Sequence, residues 1–315
     1  MKTRRATFLM AVLFACATFS VPAQAKNIVI ATSSVVLTNT PIWVAIERKY
    51  FDEVGLTVQY IVMRSDIALK GLITGDVDYI QSSSSVLRAA VAGAPLTTIL
   101  GVYNRTFFDL VARPEIRTLN DLRGKPVGIS RYGASTEYAV RFALKANGID
   151  PDKDVKLLAV GAGTDAARIS ALDAGVVAAA VLQVPSNLIA HKLGQKTILP
   201  LGDYMETLFA GLGTSQKKLQ TNREEVKQVV RAVLRALDYM ARSPVETKAI
   251  IQKNLRGIES SAVDYIYNLV VKHATRSGIA SQKALDNTLL GSPFEGKPVN
   301  FDKFVDFSLA REVSP

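Results

Sequence analysis

The feature that most restricts the fold of this chain is an alternation of two hydrophobic periods, which runs through one stretch and then through a second in the same order. Apolar runs of period 2 give way to longer stretches of period 3.6, and each helical stretch closes on a glycine. The first pass reads strand 28–31, a helix opened by Pro41 with Ile42, Ala45, Ile46 and Tyr50 on one face, strand 56–62, helix 65–75, strand 77–80, helix 82–93 and strand 96–102. The second reads strand 127–130, helix 135–148, strand 155–160, helix 164–175, strand 176–182, helix 185–194 and strand 197–201. Gly55, Gly75 and Gly93 hold the places in the first pass that Gly148, Gly175 and Gly194 hold in the second. A residue without a Cβ suits the left-handed cap that ends a helix.

Each pass is a βαβαβ unit. Parallel strands need crossover helices, and those helices cover both faces of a sheet, so the fold class is α/β with two lobes, each on a mostly parallel sheet. Two apolar, strand-like runs at 107–113 and 209–214 are placed to carry the chain between lobes. The expected division is lobe 1 at 26–108 and 213–315, and lobe 2 at 109–212. Beyond the second pass the chain reads as helices. Thr221-x-x-Glu224 forms a capping-box pattern before the stripe Val226, Val229, Val230, Val233, Leu234 and Leu237, and Ser243-Pro244-x-Glu246 opens the next helix.

Residues 1–25 read as a cleaved export signal. Lys2, Arg4 and Arg5 precede the apolar run 8–19, and Ala23-Gln24-Ala25 is an A-x-A cleavage pattern. Leu13-Phe14-Ala15-Cys16 has the outline of a lipobox, but Phe14 stands where a small or β-branched residue belongs and the apolar run continues past Cys16. The expectation is therefore cleavage after Ala25 and a periplasmic protein, with lipid anchoring at Cys16 as the alternative. Cleavage removes the single cysteine, leaving neither disulfide nor thiolate. It also lowers the formal net charge from +10 to +7. That excess suits an anionic ligand, whereas the scattered Lys and Arg, without runs or interleaved aromatics, argue against nucleic acid.

In open α/β sheets the carboxyl ends of strands and the helix N-termini that follow form the binding crevice. Polar residues concentrate there: Thr38, Asn39 and Thr40 after the first strand, Ser82, Ser83 and Ser84 after the third, and Asn104 and Arg105 after the fourth. In the second pass Arg131, Tyr132, Ser135 and Thr136 flank Gly133, and Gln183 and Pro185 follow an apolar strand. Helix capping explains single Ser and Thr residues of this kind, but not their common placement on one edge. Arg105 and Arg131 are the candidates for gripping a carboxylate, sulfonate or phosphate with paired donors. Trp43, beside Ile42, Ala45 and Ile46, reads as core.

Other motifs fail on their partners. Gly161-x-Gly163-x-x-Ala166 has the relaxed dinucleotide spacing, but Leu182 and Gln183 stand where the acidic ribose ligand belongs. Asp150-x-Asp152-x-Asp154 lacks the turn glycine and terminal glutamate of a calcium loop. His191 and His273 offer neither zinc spacing nor a Ser-His-acid order. Ser215-x-x-Lys218 lacks its companion motifs, and the segment 128–133 is one residue too long for a nucleophile elbow. No catalytic set, metal or cofactor is expected.

The chain resembles the periplasmic receptors of the nitrate, sulfonate, taurine and thiamine-precursor ABC importers, in the type II periplasmic binding protein class. The resemblance covers residues 27–255. It rests on Ala45-Ile46-Glu47-Arg48-Lys49-Tyr50-Phe51-Asp52-Glu53-Val54-Gly55-Leu56, on Leu72-Ile73-Thr74-Gly75-Asp76-Val77-Asp78, on Asp121-Leu122-Arg123-Gly124-Lys125-Pro126-Val127-Gly128, and on Gly133-x-Ser135-Thr136. The resemblance implies a monomer that closes on a solute between its lobes, touching the first loop and the turns at 82–85 and 133–136, and that docks on a permease with its ATPase. It also implies two rival readings: a pyrimidine synthase of the same fold, which depends on cysteine and histidine, and a sensor receptor. The arginines and helix N-termini favour an organic anion. A neutral pyrimidine or an amine, paired with Asp109 or Glu137, is the alternative ligand.

Overall fold

The structure, a computed structural model, describes residues 25–160, 164–255 and 258–313. The export signal, Cys16 and the glycines of the 161–166 motif lie outside them. Strand β1 (Lys26–Thr32) shows why both faces of its sheet are covered. Ile28 and Ile30 enter one core, while Val29 and Ala31, pointing the other way, enter another. Helix α1 (Thr40–Glu47), β2 (Leu56–Val62), α2 (Ser65–Thr74), β3 (Tyr79–Ile80), α3 (Ser83–Val91) and β4 (Leu96–Arg105) complete the first pass. The second pass comprises β5 (Phe108–Ala112), β6 (Pro126–Ile129), α4 (Ser135–Ala146), β7 (Lys156–Ala159), α5 (Asp165–Asp173), β8 (Ala179–Gln183), α6 (Ser186–Lys192) and β9 (Lys196–Pro200). All six repeated glycines adopt positive φ, from 75° at Gly55 to 101° at Gly93.

The two sheets repeat one topology. The first runs β2-β1-β3-β10-β4 and the second β7-β6-β8-β5-β9, where β10 spans Glu206–Ser215. In each sheet the inserted strand is the antiparallel one: β10 against β3 and β4, β5 against β8 and β9. The chain thus leaves one sheet to become the fourth member of the other. The return falls earlier than the sequence division at 213, because Glu206 already pairs with Arg105. Tyr103, Phe107, Phe108 and Phe209 meet edge to face at the crossing, with centroids 5.1 to 6.3 Å apart.

The rest of the chain is helical: α7 (Gln216–Thr221), α8 (Arg223–Arg242), α9 (Pro244–Asn254), α10 (Ser260–His273), α11 (Gln282–Thr288) and α12 (Ser308–Val313). The α8 stripe is buried against the first sheet in the same core as Trp43. The expected capping box is absent, because Thr221 ends α7 and its hydroxyl donates to Lys217 O at 2.9 Å. Ser243 is at the N-cap of α9 with Pro244 following, but its side chain makes no cap bond. No helix among the described residues is long and apolar enough to cross a membrane.

Candidate ligand-binding site

Where the ends of the two sheets face each other lies a cavity of about 190 Å³. Ser84, Ser85 and Arg88 of α3 line one side, Arg131, Gly133, Ala134, Ser135 and Tyr138 the other, and Thr106, Phe209, Asn287 and Thr288 complete the lining. The second-lobe wall is a tightly organised turn. Strand β6 ends at Ile129, and Ser130 folds back so that its N–H donates to Thr136 Oγ1 at 3.1 Å and its hydroxyl meets the same atom at 2.8 Å. Gly133, at φ 73°, donates its N–H to Glu137 Oε2 at 2.6 Å, which fixes the backbone just before α4. Neither α3 nor α4 has a side-chain cap at its N-terminus. One helix N-terminus from each lobe therefore presents partial positive charge to the cavity.

The dominant electrostatic feature is a pair of guanidiniums, Arg88 from the first lobe and Arg131 from the second. Burial, and secondarily the Arg131 charge, hold the Arg88 pKa below the usual arginine value, with the Tyr138 phenol acting in the opposite sense. Arg88 stays charged even so. Among the described residues no aspartate or glutamate lines this cavity. Thr106 adds a hydroxyl that is buried and has no protein partner.

Of the residues expected from the sequence, Ser84, Arg131 and Ser135 lie on this cavity. Several others face inward. Asn39 is buried with its amide at 2.9 Å from Thr32 Oγ1, 2.8 Å from Gln81 Oε1 and 2.5 Å from Tyr60 OH. Thr38 accepts Gln81 Nε2 at its carbonyl, and Thr40 donates to Leu37 O. Ser82 bonds Ser85, Ser83 is fully buried, and Thr136 braces the turn. Arg105 lies off the cavity, 3.0 Å from Asp203, so its charge is already paired. Asn104 turns toward Ile279 O at 3.5 Å, and Tyr132 reaches Leu157 O at 2.9 Å. Gln183 donates its backbone N–H to Asp165 Oδ2 at 3.0 Å, while Pro185 belongs to a separate groove with Ile189, Ile258 and Tyr265.

Ser85, in the turn that the resemblance implied, lines the cavity as well, whereas Arg88, Thr106, Tyr138 and Asn287 line it without having been expected. For Arg88 a signal exists: it follows Ser84 and Ser85 by one helical turn and shares their face. The carboxylates considered as partners for an amine are engaged elsewhere. Asp109 accepts Asn187 at 2.6 Å and Thr197 at 3.1 Å, and Glu137 pairs with Arg141 at 2.8 Å.

Two α/β lobes, each with a strand donated to its sheet from the far side of the crossing, define the periplasmic binding protein fold of type II. Residues 36–247 match the family described as NMT1/THI5 like, and the chain belongs to that family. A curated relative, the riboflavin-binding protein RibY of Chloroflexus aurantiacus, is 27% identical over 213 residues, 65% of this chain. That match spans 60% of the relative's length. Among solved structures, the periplasmic aliphatic sulphonate binding protein SsuA of Escherichia coli superposes with a TM-score of 0.65 at 18% identity, covering 79% of this chain and 85% of that one. The periplasmic nitrate-binding protein NrtA of Synechocystis PCC 6803 gives 0.69 at 14% identity, covering 92% and 88%.

Proposed function

We propose that this chain is the periplasmic solute-binding receptor of an ABC importer, and that it takes a small organic anion, a sulfonate or carboxylate, between its lobes. The observation that carries the ligand class is the arrangement of Arg88 and Arg131, one from each lobe, on a cavity that no carboxylate lines among the described residues. Two like charges facing each other oppose approach of the lobes, and an anion between them reverses that sign. Binding and closure are then the same event: the ligand stabilises whichever arrangement brings both arginines to it. On this reading the function is capture and delivery to a permease and its ATPase.

The relatives bind unlike molecules by their names, so the ligand is decided on this cavity. Its 190 Å³ and its positive lining match a compact anion better than a large planar ring such as a flavin. The test is a melting-shift and calorimetric panel of methanesulfonate, ethanesulfonate, acetate, nitrate, inorganic phosphate, a pyrimidine, a primary amine and riboflavin. Stabilisation by a sulfonate or carboxylate is the expected result. Stabilisation only by the pyrimidine, the amine or riboflavin would overturn the anionic reading.

A further inference from the structure

The cavity has a third wall, supplied by a segment that follows the stretch matched by the family. Residues 282–295 comprise α11 and the loop after it, and the family match stops at 247. Leu285 and Leu289 anchor this segment to the first lobe by burying against Leu87 of α3 and Leu208 of β10. Asn287 and Thr288 of the segment line the cavity, and two adjacent carbonyls just beyond them are held from different lobes. Arg88 Nη2 donates to Leu290 O at 3.0 Å, and Tyr138 of α4 donates its hydroxyl to Gly291 O at 3.1 Å. The Arg88 guanidinium also sits 5.9 Å from the centre of the Tyr138 ring. Gly291 has φ 66°, and a Cβ there would run into that ring, so the phenol lies directly on the segment's backbone. Tyr138 has the cavity on one side and, on the other, an open groove of about 1020 Å³ between α4 and Leu290 and Glu295.

We propose that residues 282–295 form a strap closing the cavity, and that Tyr138 is the positioning residue that latches the second lobe onto it. The inference rests on reading the cavity as the ligand site. Arg88 joins the parts, because one guanidinium touches the strap, lies over the latch and faces the ligand. Ligand leaves when Tyr138 lets go of Gly291 and the cavity opens to the groove. Latch strength therefore sets the dissociation rate, and association depends on it less.

The experiment has a ligand-free arm and a ligand arm. Small-angle scattering of the protein without ligand should show a larger radius of gyration in Y138A and G291A than in wild type. With ethanesulfonate as probe, Y138F keeps the ring and loses one hydrogen bond, so its dissociation rate should rise about fivefold. G291A forces ring and strap apart and should raise it roughly tenfold or more. In a Y138A background G291A should add much less, because the ring it would strike is gone and only the backbone strain at positive φ is left, whereas that strain alone would act equally in both backgrounds. Unchanged scattering in both Y138A and G291A, or equal effects of G291A in the two backgrounds, overturns the latch. If ethanesulfonate fails to bind wild type, the ligand reading falls alone and the ligand-free scattering still decides the strap.

Discussion

Arg88 and Arg131 line one cavity, no carboxylate lines it among the described residues, and burial together with the Arg131 charge lowers the Arg88 pKa. Removing either should therefore weaken binding of ethanesulfonate by about tenfold to a hundredfold, the worth of a charged hydrogen bond. Arg105→Ala should change affinity by less than about twofold, since Arg105 is spent on Asp203 at the partly exposed crossing. Titration calorimetry on the three variants checks this, and equal losses in all three would mean a diffuse field in place of a site. The sequence placed Arg105 and Arg131 alike, each just after a strand. What separates them is Asp203, which lies 98 residues from Arg105 and reaches it only through the fold. Asp109 supports a second prediction. Burial raises its pKa, with Asn187 and Thr197 opposing. The folded protein thus holds that proton more tightly than the unfolded chain, and stability falls as pH rises from the free carboxyl value, about 3.9, through the folded one. Asp109→Asn should remove that slope in denaturation curves taken between pH 4 and 7, whatever its absolute stability; an unaltered slope would assign it to another group.

At the scale of elements, the least conventional piece is β10, which enters the first sheet antiparallel with register shifts near Ala210 and Leu212. Gly211 and Gly213 make room for it. A Cβ on Gly211 would run into the Leu100 carbonyl, and one on Gly213 would lie 2.6 Å from the Val86 methyls of α3. Gly211→Ala should cost more than about 2 kcal/mol in denaturant unfolding, because backbone must yield, and Gly213→Ala less, because a side chain can. Reversal of that order would mean that β10 moves as a unit. The helical tail is fastened nearby through charge. Lys218 of α7 sits 2.5 Å from Asp78 and 2.7 Å from Glu225 of α8. Lys218→Met leaves Asp78 without its cation and Glu225 with Lys26 alone, and should cost about 3 kcal/mol. The strands themselves were legible, since Leu56–Val62 and its neighbours announce themselves by alternation within a few residues. Neither β10's insertion nor the Lys218–Asp78 contact was, because both depend on partners more than a hundred residues away.

For the whole molecule, the repeat in the sequence reports two sheets, each covered by apolar clusters on both faces, and says little about what holds the lobes in relation to each other. That relation rests on the aromatic crossing, on the strap, whose loop has no periodicity to betray it, and on two arginines that push the lobes apart. The combination makes a definite prediction for Arg131→Ala, which lifts the repulsion and leaves Arg88 on Leu290 O. Without ligand, the variant should melt at or above the wild-type temperature, and raised salt should narrow any difference, since the repulsion it removes is screened. With ethanesulfonate at about a hundred times the wild-type dissociation constant, wild type should gain about 2.7 kcal/mol and a variant weakened tenfold or more about 1.4 kcal/mol or less. Differential scanning calorimetry separates the two effects: loss of ligand-free stability in Arg131→Ala would show this arginine to be a structural support and not one of a charge pair held ready for an anion.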